Sequence, residues 1–253
     1  MKTISSYSNA KLVIVGVASL ALCGSVAVSG KAAPQTASVA QDSKTSAHYS
    51  GGKLLTPGLP NYPKDALAQK LQGTAAFLLT IASDGSVRLA VPIGGDPRLI
   101  SAVEKSIVQR KYEPFQQEGN AVEMQIKTTV YFAIPPVGPT VFAVDDMDLN
   151  DGLDGVEEFK PGKGIIAARP IYAPDPPYSE KAQKDRYGGT CVLSLVIGTD
   201  GLAHHIKPLQ IVGDGLDEIA IDTVKSWRFE PAIKGGSAIP TKATVEVAFA
   251  TPR

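Results

Sequence analysis

An acidic stretch between residues 145 and 158 offers metal-binding chemistry: Asp145, Asp146, Asp148, Asp151, Asp154, Glu157 and Glu158 follow one another with no basic residue among them. Asp146, Asp148, Asn150, Asp154 and Glu157 fall at positions 1, 3, 5, 9 and 12 of a calcium loop, with Leu153 at the hydrophobic eighth. The sharp turn of such a loop needs glycine at position 6, where Asp151 stands and Gly152 comes one residue late. Helical flanks are also missing, so a solvated acidic linker is the favoured reading and these residues are only a weak calcium candidate. The three histidines are His48, His204 and His205; the last two are neighbours on an expected strand, which sends them to opposite faces and prevents joint chelation. Cys191 lies in the apolar run CVLSLVIG and reads as a small buried hydrophobe, and Cys23 lies in an apolar stretch near the start, so no disulfide is expected. No Gly-x-Ser-x-Gly, phosphate loop or His-Glu-x-x-His occurs. The chain reads as a non-enzyme without a cofactor.

The elements that must position any site belong to an ordinary globular composition. The 253 residues are 43% hydrophobic and 20% charged, which excludes disorder, collagen and a multi-span membrane protein. Lys and Arg number 25 against 25 Asp and Glu, so no global field favours nucleic acid. The first 30 residues read as an export segment. Lys2 and Lys11 precede Leu12 to Val28, 17 residues without a charge, at the lower edge of the about 17 to 25 needed to span a bilayer. Two fates stay open: cleavage after Ser29, with Ala27 and Ser29 as the small residues, or retention as an anchor. Leu20-Ala21-Leu22-Cys23 is similar to a lipoprotein box, with bulky Leu22 where a small residue normally precedes the acylated Cys. Either fate places the rest of the chain outside the cytoplasm, in the periplasm, anchored by residues 12–28 or released. Residues 31–56 read as a flexible linker.

The chain then repeats itself. Tyr62, Ala66, Gly73-Thr74 and Asp84-Gly85 recur 116 residues later as Tyr178, Ala182, Gly189-Thr190 and Asp200-Gly201. Tyr112-Glu113-Pro114, Val130 and Phe132 recur 117 later as Phe229-Glu230-Pro231, Val247 and Phe249. Two copies of one domain follow, at 57–134 and 169–253, joined by a Pro-containing acidic linker at 135–168. In the second copy the spacing predicts a short helix from Tyr178 to Arg186, a hairpin of Thr190–Thr199 and Leu202–Val212 about Asp200-Gly201, a helix carrying Leu216, Ile219, Ala220, Val224 and Trp227, and a last strand. In that strand Ala243, Val245, Val247 and Phe249 alternate with Thr244, Glu246 and Ala248. The first copy follows the same plan, with a last strand at Ala121–Ala133, and sets Arg110 where the second has Trp227, so its core is packed differently or covered by a neighbour. The fold class is α+β: two tandem small domains, each helix, hairpin, helix, strand, with a three-stranded antiparallel sheet packed on two helices.

The ordered set Tyr178, Ala182, Gly189-Thr190, Asp200-Gly201, Leu216-Asp217, Ala220, Trp227-Arg228-Phe229-Glu230-Pro231, Gly235 and the final strand resembles the carboxy-terminal domain of TonB energy transducers. The first copy, with Asn61-Tyr62-Pro63 near the family's Gln-Tyr-Pro, is similar as a diverged member. The resemblance implies a protein that draws energy from an ExbB/ExbD-like motor and binds the TonB box peptide of outer-membrane TonB-dependent receptors to drive transport. It implies partner contacts at Tyr178, at Asn61, Tyr62 and Pro63, and along Ala243, Thr244, Val245, Glu246, Val247 and Phe249, where an extended peptide adds as a strand. Gly189, Asp200, Gly201, Trp227, Arg228, Phe229 and Pro231 are its structural motif. Three features depart from a simple transducer: Leu12 to Val28 holds no His, Gly30 to Thr56 reaches at most about 90 to 97 Å when fully extended, and the domain is duplicated. An exported scaffold or binding module that reuses the fold without a motor is the alternative. The tandem copies leave open binding of two peptides, or of one another, including a dimer.

Overall fold

The computed structural model describes residues 10–13, 49–147, 153, 156 and 164–250. Most of the expected export segment and of the linker after it, and the calcium candidates Asp148, Asn150, Asp154 and Glu157, lie outside the described residues. In chain order the elements begin with β1 (Ala10–Val13), β2 (Tyr49–Ser50), β3 (Leu54–Thr56) and α1 (Lys64–Ala68). The first hairpin is β4 (Gly73–Ile81) and β5 (Val87–Gly95), followed by α2 (Pro97–Ile107). Then come β6 (Lys111–Tyr112), β7 (Gln116–Gln117), β8 (Asn120–Ala121), β9 (Met124–Ala133) and β10 (Thr140–Asp146). The second copy holds β11 (Ile165–Ile166), β12 (Arg169–Tyr172), α3 (Glu180–Asp185), β13 (Gly189–Ile197), β14 (Ala203–Gln210) and α4 (Leu216–Ser226). It ends with β15 (Arg228–Glu230), β16 (Ala232–Lys234), β17 (Ser237–Ile239) and β18 (Thr241–Phe249).

Residue patterning explains each layer. Along β4, Ala75, Phe77, Leu79 and Ile81 are fully buried at a spacing of two, as are Cys191, Leu193 and Ile197 along β13, so one face of each sheet is a core face. Leu99, Val103 and Ile107 on α2, and Leu216, Ala220 and Val224 on α4, recur every four residues and close over those faces. Asp96 caps α2 by accepting from the Arg98 N–H at 2.9 Å, with Pro97 in the first turn. The hairpin turns are the same in both copies. Gly85 and Gly201 have φ of 82° and 75°, and their carbonyls accept from the Tyr112 and Phe229 N–H groups at 2.8 and 2.9 Å. A Cβ at either glycine would run into the carbonyl oxygen of that same Tyr112 or Phe229.

The repeat covers even the small ribbons. β3 pairs β6 as β12 pairs β15, and β2, β7 and β8 form a ribbon as β11, β16 and β17 do. These pairs carry the copies back to Tyr49 and Ile165, ahead of the boundaries expected from the sequence. The strand expected over Ala121–Ala133 is broken after β8, and β9 starts at Met124.

The main sheets gain a fourth strand over the three expected. Their orders are β10-β9-β4-β5 and β1-β18-β13-β14, with every pairing antiparallel. β10 comes from the stretch expected to be linker. It joins the first sheet, yet its side chains serve both cores: Val141 and Ala143 pack on the first, Phe142 and Val144 are buried in the second. Strand alternation makes this division possible. Phe142 also stacks on Tyr131 at a centroid distance of 5.1 Å. Because Phe142 is 0% exposed, Phe142→Ala is expected to cost about 3–5 kcal/mol. Denaturant titration followed by the fluorescence of Trp227, the single tryptophan, should register that loss in the second copy although Phe142 belongs to the first sheet.

Candidate peptide-binding edge

The strand expected to receive a peptide is β18. It pairs through one edge with β13 over the full run from Thr241↔Ile197 to Phe249↔Gly189. Among the described residues, the opposite edge carries Ala10–Val13, antiparallel, in the register Ala10↔Val247, Lys11↔Glu246, Leu12↔Val245 and Val13↔Thr244. Of the residues named for binding, Ala243, Val245, Val247 and Phe249 are buried and face the core, while Thr244 and Glu246 lie on the other face, half-buried. A ligand at this edge therefore meets backbone first, and core side chains only along the sheet margin.

The two tyrosines occupy matching positions. Tyr178 donates its hydroxyl hydrogen to the Tyr187 carbonyl and sets its ring edge-on to Phe249 at 5.8 Å; Tyr62 donates to the Leu71 carbonyl and meets Phe132 at 5.4 Å in the same manner. Each ring thus sits at one end of β9 or β18 and ties the chain after the first helix of its copy to that strand. Burial raises both phenol pKa values. Asn61 is exposed, and Pro63 is the residue before α1, with no side-chain cap. Gly189 opens β13, with Val212 so close that a Cβ would need it to shift. The Asp200 carboxylate accepts from the Leu202 N–H at 3.0 Å in the turn. Arg228 covers the end of α4, donating to the Ser226 and Trp227 carbonyls at 3.0 and 2.8 Å.

Among the core positions that differ between the copies, three bear on the sheet edge. Trp227, Phe229 and Val245 are replaced 117 residues earlier by Arg110, Tyr112 and Thr128. The Trp227 indole N–H donates to the Pro174 carbonyl at 3.3 Å, and Arg110 Nε donates to the Pro57 carbonyl, one residue before the position equivalent to Pro174, at 2.8 Å. The rest of the guanidinium reaches β10. Arg110 Nη1 donates to Asp145 Oδ1 at 2.7 Å and to the Tyr112 hydroxyl at 2.8 Å. Thr128 Oγ1 donates to Asp145 Oδ1 at 2.8 Å, and the Tyr112 hydroxyl donates to Asp145 Oδ2 at 3.1 Å. The Arg110 and Asp145 side chains are 1% and 10% exposed, so this is a buried, hydrogen-bonded ion pair. Burial works against the Arg110 charge, but the Asp145 carboxylate and Tyr112 more than offset it and its pKa is raised. Burial, reinforced by Asp145, also pushes the Tyr112 phenol up.

The sequence reading missed Asp145 as a partner and β10 as a strand. Its signals were the polar Arg110 and Thr128 at core positions and the continuous apolar VFAV run after Pro139. The histidines take different partners: His204 Nε2 lies 3.0 Å from Asp200 Oδ2, and His205 Nδ1 lies 2.9 Å from Asp146 Oδ2, across the two copies. The simple alternation expected of them is interrupted, since His205 has a φ of 47° where the β13–β14 register shifts, and both line one hollow with Asp145 and Asp146. Asp146, the first calcium candidate, is thus engaged with His205. No cluster of metal-ligating side chains is present among the described residues.

The Gram-negative bacterial TonB protein C-terminal family model matches residues 59–134 and 174–251, well over half of the chain. The chain belongs to the TonB C-terminal family. It carries two tandem TonB C-terminal domains, as the repeat implied. The solution NMR structure of the Pseudomonas aeruginosa TonB CTD is similar at 23% identity over 39% of this chain and 97% of that one, with a TM-score of 0.32. No curated protein matches the chain.

The first turn of α4 in the second TonB domain holds a buried carboxylate that the sequence marks only as part of the family pattern. Asp217, 1% exposed, accepts from the Val212 and Gly213 N–H groups at 2.9 and 2.7 Å and fixes the entry to α4. Burial outweighs these bonds and raises its pKa, and burial together with Asp217 pushes the Cys191 thiol up. A carboxyl whose folded pKa exceeds its unfolded value adds stability that is complete below the unfolded pKa and is lost as pH rises through the folded one. Asp217→Asn is therefore expected to gain on the wild type as pH rises from about 4 to 7.5. Urea midpoints by Trp227 fluorescence at several pH values check this, and a difference independent of pH would contradict it.

Proposed function

We propose that this chain is a TonB-like periplasmic component of energy-coupled outer-membrane transport that binds extended peptides of TonB-dependent receptors by adding them to β18. The observation that carries this reading is the outer edge of β18, nine residues long, to which a short segment of the same chain is already added as an antiparallel strand. A row of unpaired N–H and C=O groups at such an edge is a template for another extended chain. Membership of the TonB C-terminal family supplies the partner class. Ala10–Val13 belongs to the segment read as signal or anchor, so in a chain cleaved after Ser29 the same edge would stand without it.

The motor is the finer part of the proposal. The absence of His from residues 12–28 and the 27 residues from Gly30 to Thr56 favour the second reading, an exported envelope module that binds peptides without an ExbB/ExbD-like partner. No helix among the described residues is long and apolar enough to cross a membrane. Intact mass and the amino-terminal residue of the native protein, from membrane and soluble fractions separately, distinguish the two. A membrane-bound chain beginning near Met1 supports the transducer; a soluble chain beginning near Gly30 cannot transmit energy from the inner membrane.

Strand addition makes its own prediction because the affinity resides in backbone groups. Thr244→Ala and Glu246→Ala are expected to weaken binding of a synthetic TonB box peptide less than tenfold, whereas N-methylation of alternate peptide residues abolishes it. Titration calorimetry reads both, and tight binding of the N-methylated peptide in every register would remove the mechanism.

A further inference from the structure

The two TonB domains present equivalent edges to different strands. On β9 the occupant is β10, seven residues in continuous antiparallel register from Thr140↔Ala133 to Asp146↔Lys127. On β18 it is Ala10–Val13. Superposing the repeats by their registers makes Thr128 of β9 equivalent to Val245 of β18, since Thr128 pairs Phe77 and Val245 pairs Leu193, 116 residues on. Opposite Thr128 stands Asp145; opposite Val245 stands Leu12. The side chains beneath these positions change in step. Arg110, Tyr112 and Thr128 converge on the Asp145 carboxylate, and their counterparts Trp227, Phe229 and Val245 form an apolar surface that is at most 2% exposed.

We infer that the two edges are specialised: that of the first domain is sealed by the chain's own β10 through the buried Asp145 clamp, and that of the second selects a strand with an apolar residue opposite Val245. The second half rests on the reading of β18 as the peptide edge; the first does not. Two physical costs enforce the division. A strand without a carboxylate at the Asp145 position would leave the Arg110 charge buried and unpaired, and a strand with a carboxylate opposite Val245 would bury that charge against Trp227 and Phe229 with no donor. β10 is also held from its other face, where Phe142 and Val144 are buried in the second domain, so it does not yield to a competing peptide without opening both cores. The chain then offers one peptide site despite having two domains.

The test uses the full chain and two synthetic peptides of the Pro139–Met147 sequence, one with Asp at the position of Asp145 and one with Leu. Both must displace the same Ala10–Val13 strand, so the ratio of their affinities is independent of it. The Leu peptide is expected to bind one per chain, at least tenfold more tightly than the Asp peptide, and to form a disulfide from a cysteine at its Asp146 position with Thr244→Cys but not with Lys127→Cys, its first-domain counterpart. Two peptides per chain, equal affinities or capture at Lys127→Cys would overturn the inference. The seal is read separately by hydrogen exchange. Asp145→Asn should speed exchange of β9 and β10 amides at least tenfold over those of β13, and unchanged rates would overturn the clamp. The combined replacement Arg110→Met, Tyr112→Phe, Thr128→Val and Asp145→Leu, which removes the charges together, should restore protection. If neither peptide binds while Asp145→Asn opens β9, the peptide-edge reading of β18 falls and the sealing of the first domain stands.

Discussion

A three-stranded sheet backed by helices on one face leaves a line of backbone donors and acceptors along each outer strand, and those groups bond to something or cost free energy. That constraint governs the arrangement of this chain. In the first domain the line on β9 is satisfied by β10, and because β10 alternates its side chains between two cores, satisfying the edge also joins the domains. Val141, Ala143 and Asp145 turn to the first core, Phe142, Val144 and Asp146 to the second. One seven-residue strand therefore serves as edge cover, as part of two hydrophobic cores and as the carrier of two polar contacts, the Asp145–Arg110 ion pair and the approach of Asp146 to His205.

A buried ion pair is weak evidence of stability, since desolvation of both groups offsets most of their attraction. Its use here is register. A slip of β10 by one residue would carry Asp145 to the outer face and Phe142 and Val144 to the wrong core, and every side chain of the strand would be misplaced at once. The carboxylate takes hydrogen bonds from Arg110, Tyr112 and Thr128, on two different elements, so no neighbouring register satisfies it. Hydrophobic alternation specifies which face of β10 meets which core, and the clamp specifies which residue meets which.

The duplicated plan was legible in the sequence because its marks are local or periodic. Asp84-Gly85 and Asp200-Gly201 need only their own turn, and the last strand of the second copy shows its buried face by alternation alone. β10 was not legible as part of a domain for a physical reason: it is buried on both faces, so TVFAVDD shows no polar face, and the acids that follow resemble solvated linker. Arg110 was legible as an anomaly and not as an answer, since a charged residue at a core position announces a partner without naming it. The partner lay 35 residues away on a strand outside the repeat. The binding residues stand between these cases: the position of β18 at a sheet edge follows from the plan, but the residue that would face Val245 across that edge is a property of another segment.

The asymmetry between the edges has a consequence for the kind of recognition each allows. The polar set of the first domain is exacting, because any occupant lacking a carboxylate strands a buried guanidinium, and the penalty for an unmade charged bond exceeds the gain from making it. Such a site suits a permanent partner encoded in the same chain. The apolar set of the second domain is permissive: Trp227, Phe229 and Val245 impose shape and dryness, and a range of apolar side chains meets those terms with modest differences in free energy. Backbone bonds along β18 add affinity that is nearly independent of sequence. A domain that must engage several receptors with differing peptides needs the second kind of edge, and one that must hold its neighbour in place needs the first. On the proposed division, three exchanges beneath the margin of one sheet, Trp to Arg, Phe to Tyr and Val to Thr or their reverse, separate the two roles once a strand carrying Asp145 lies beside that margin.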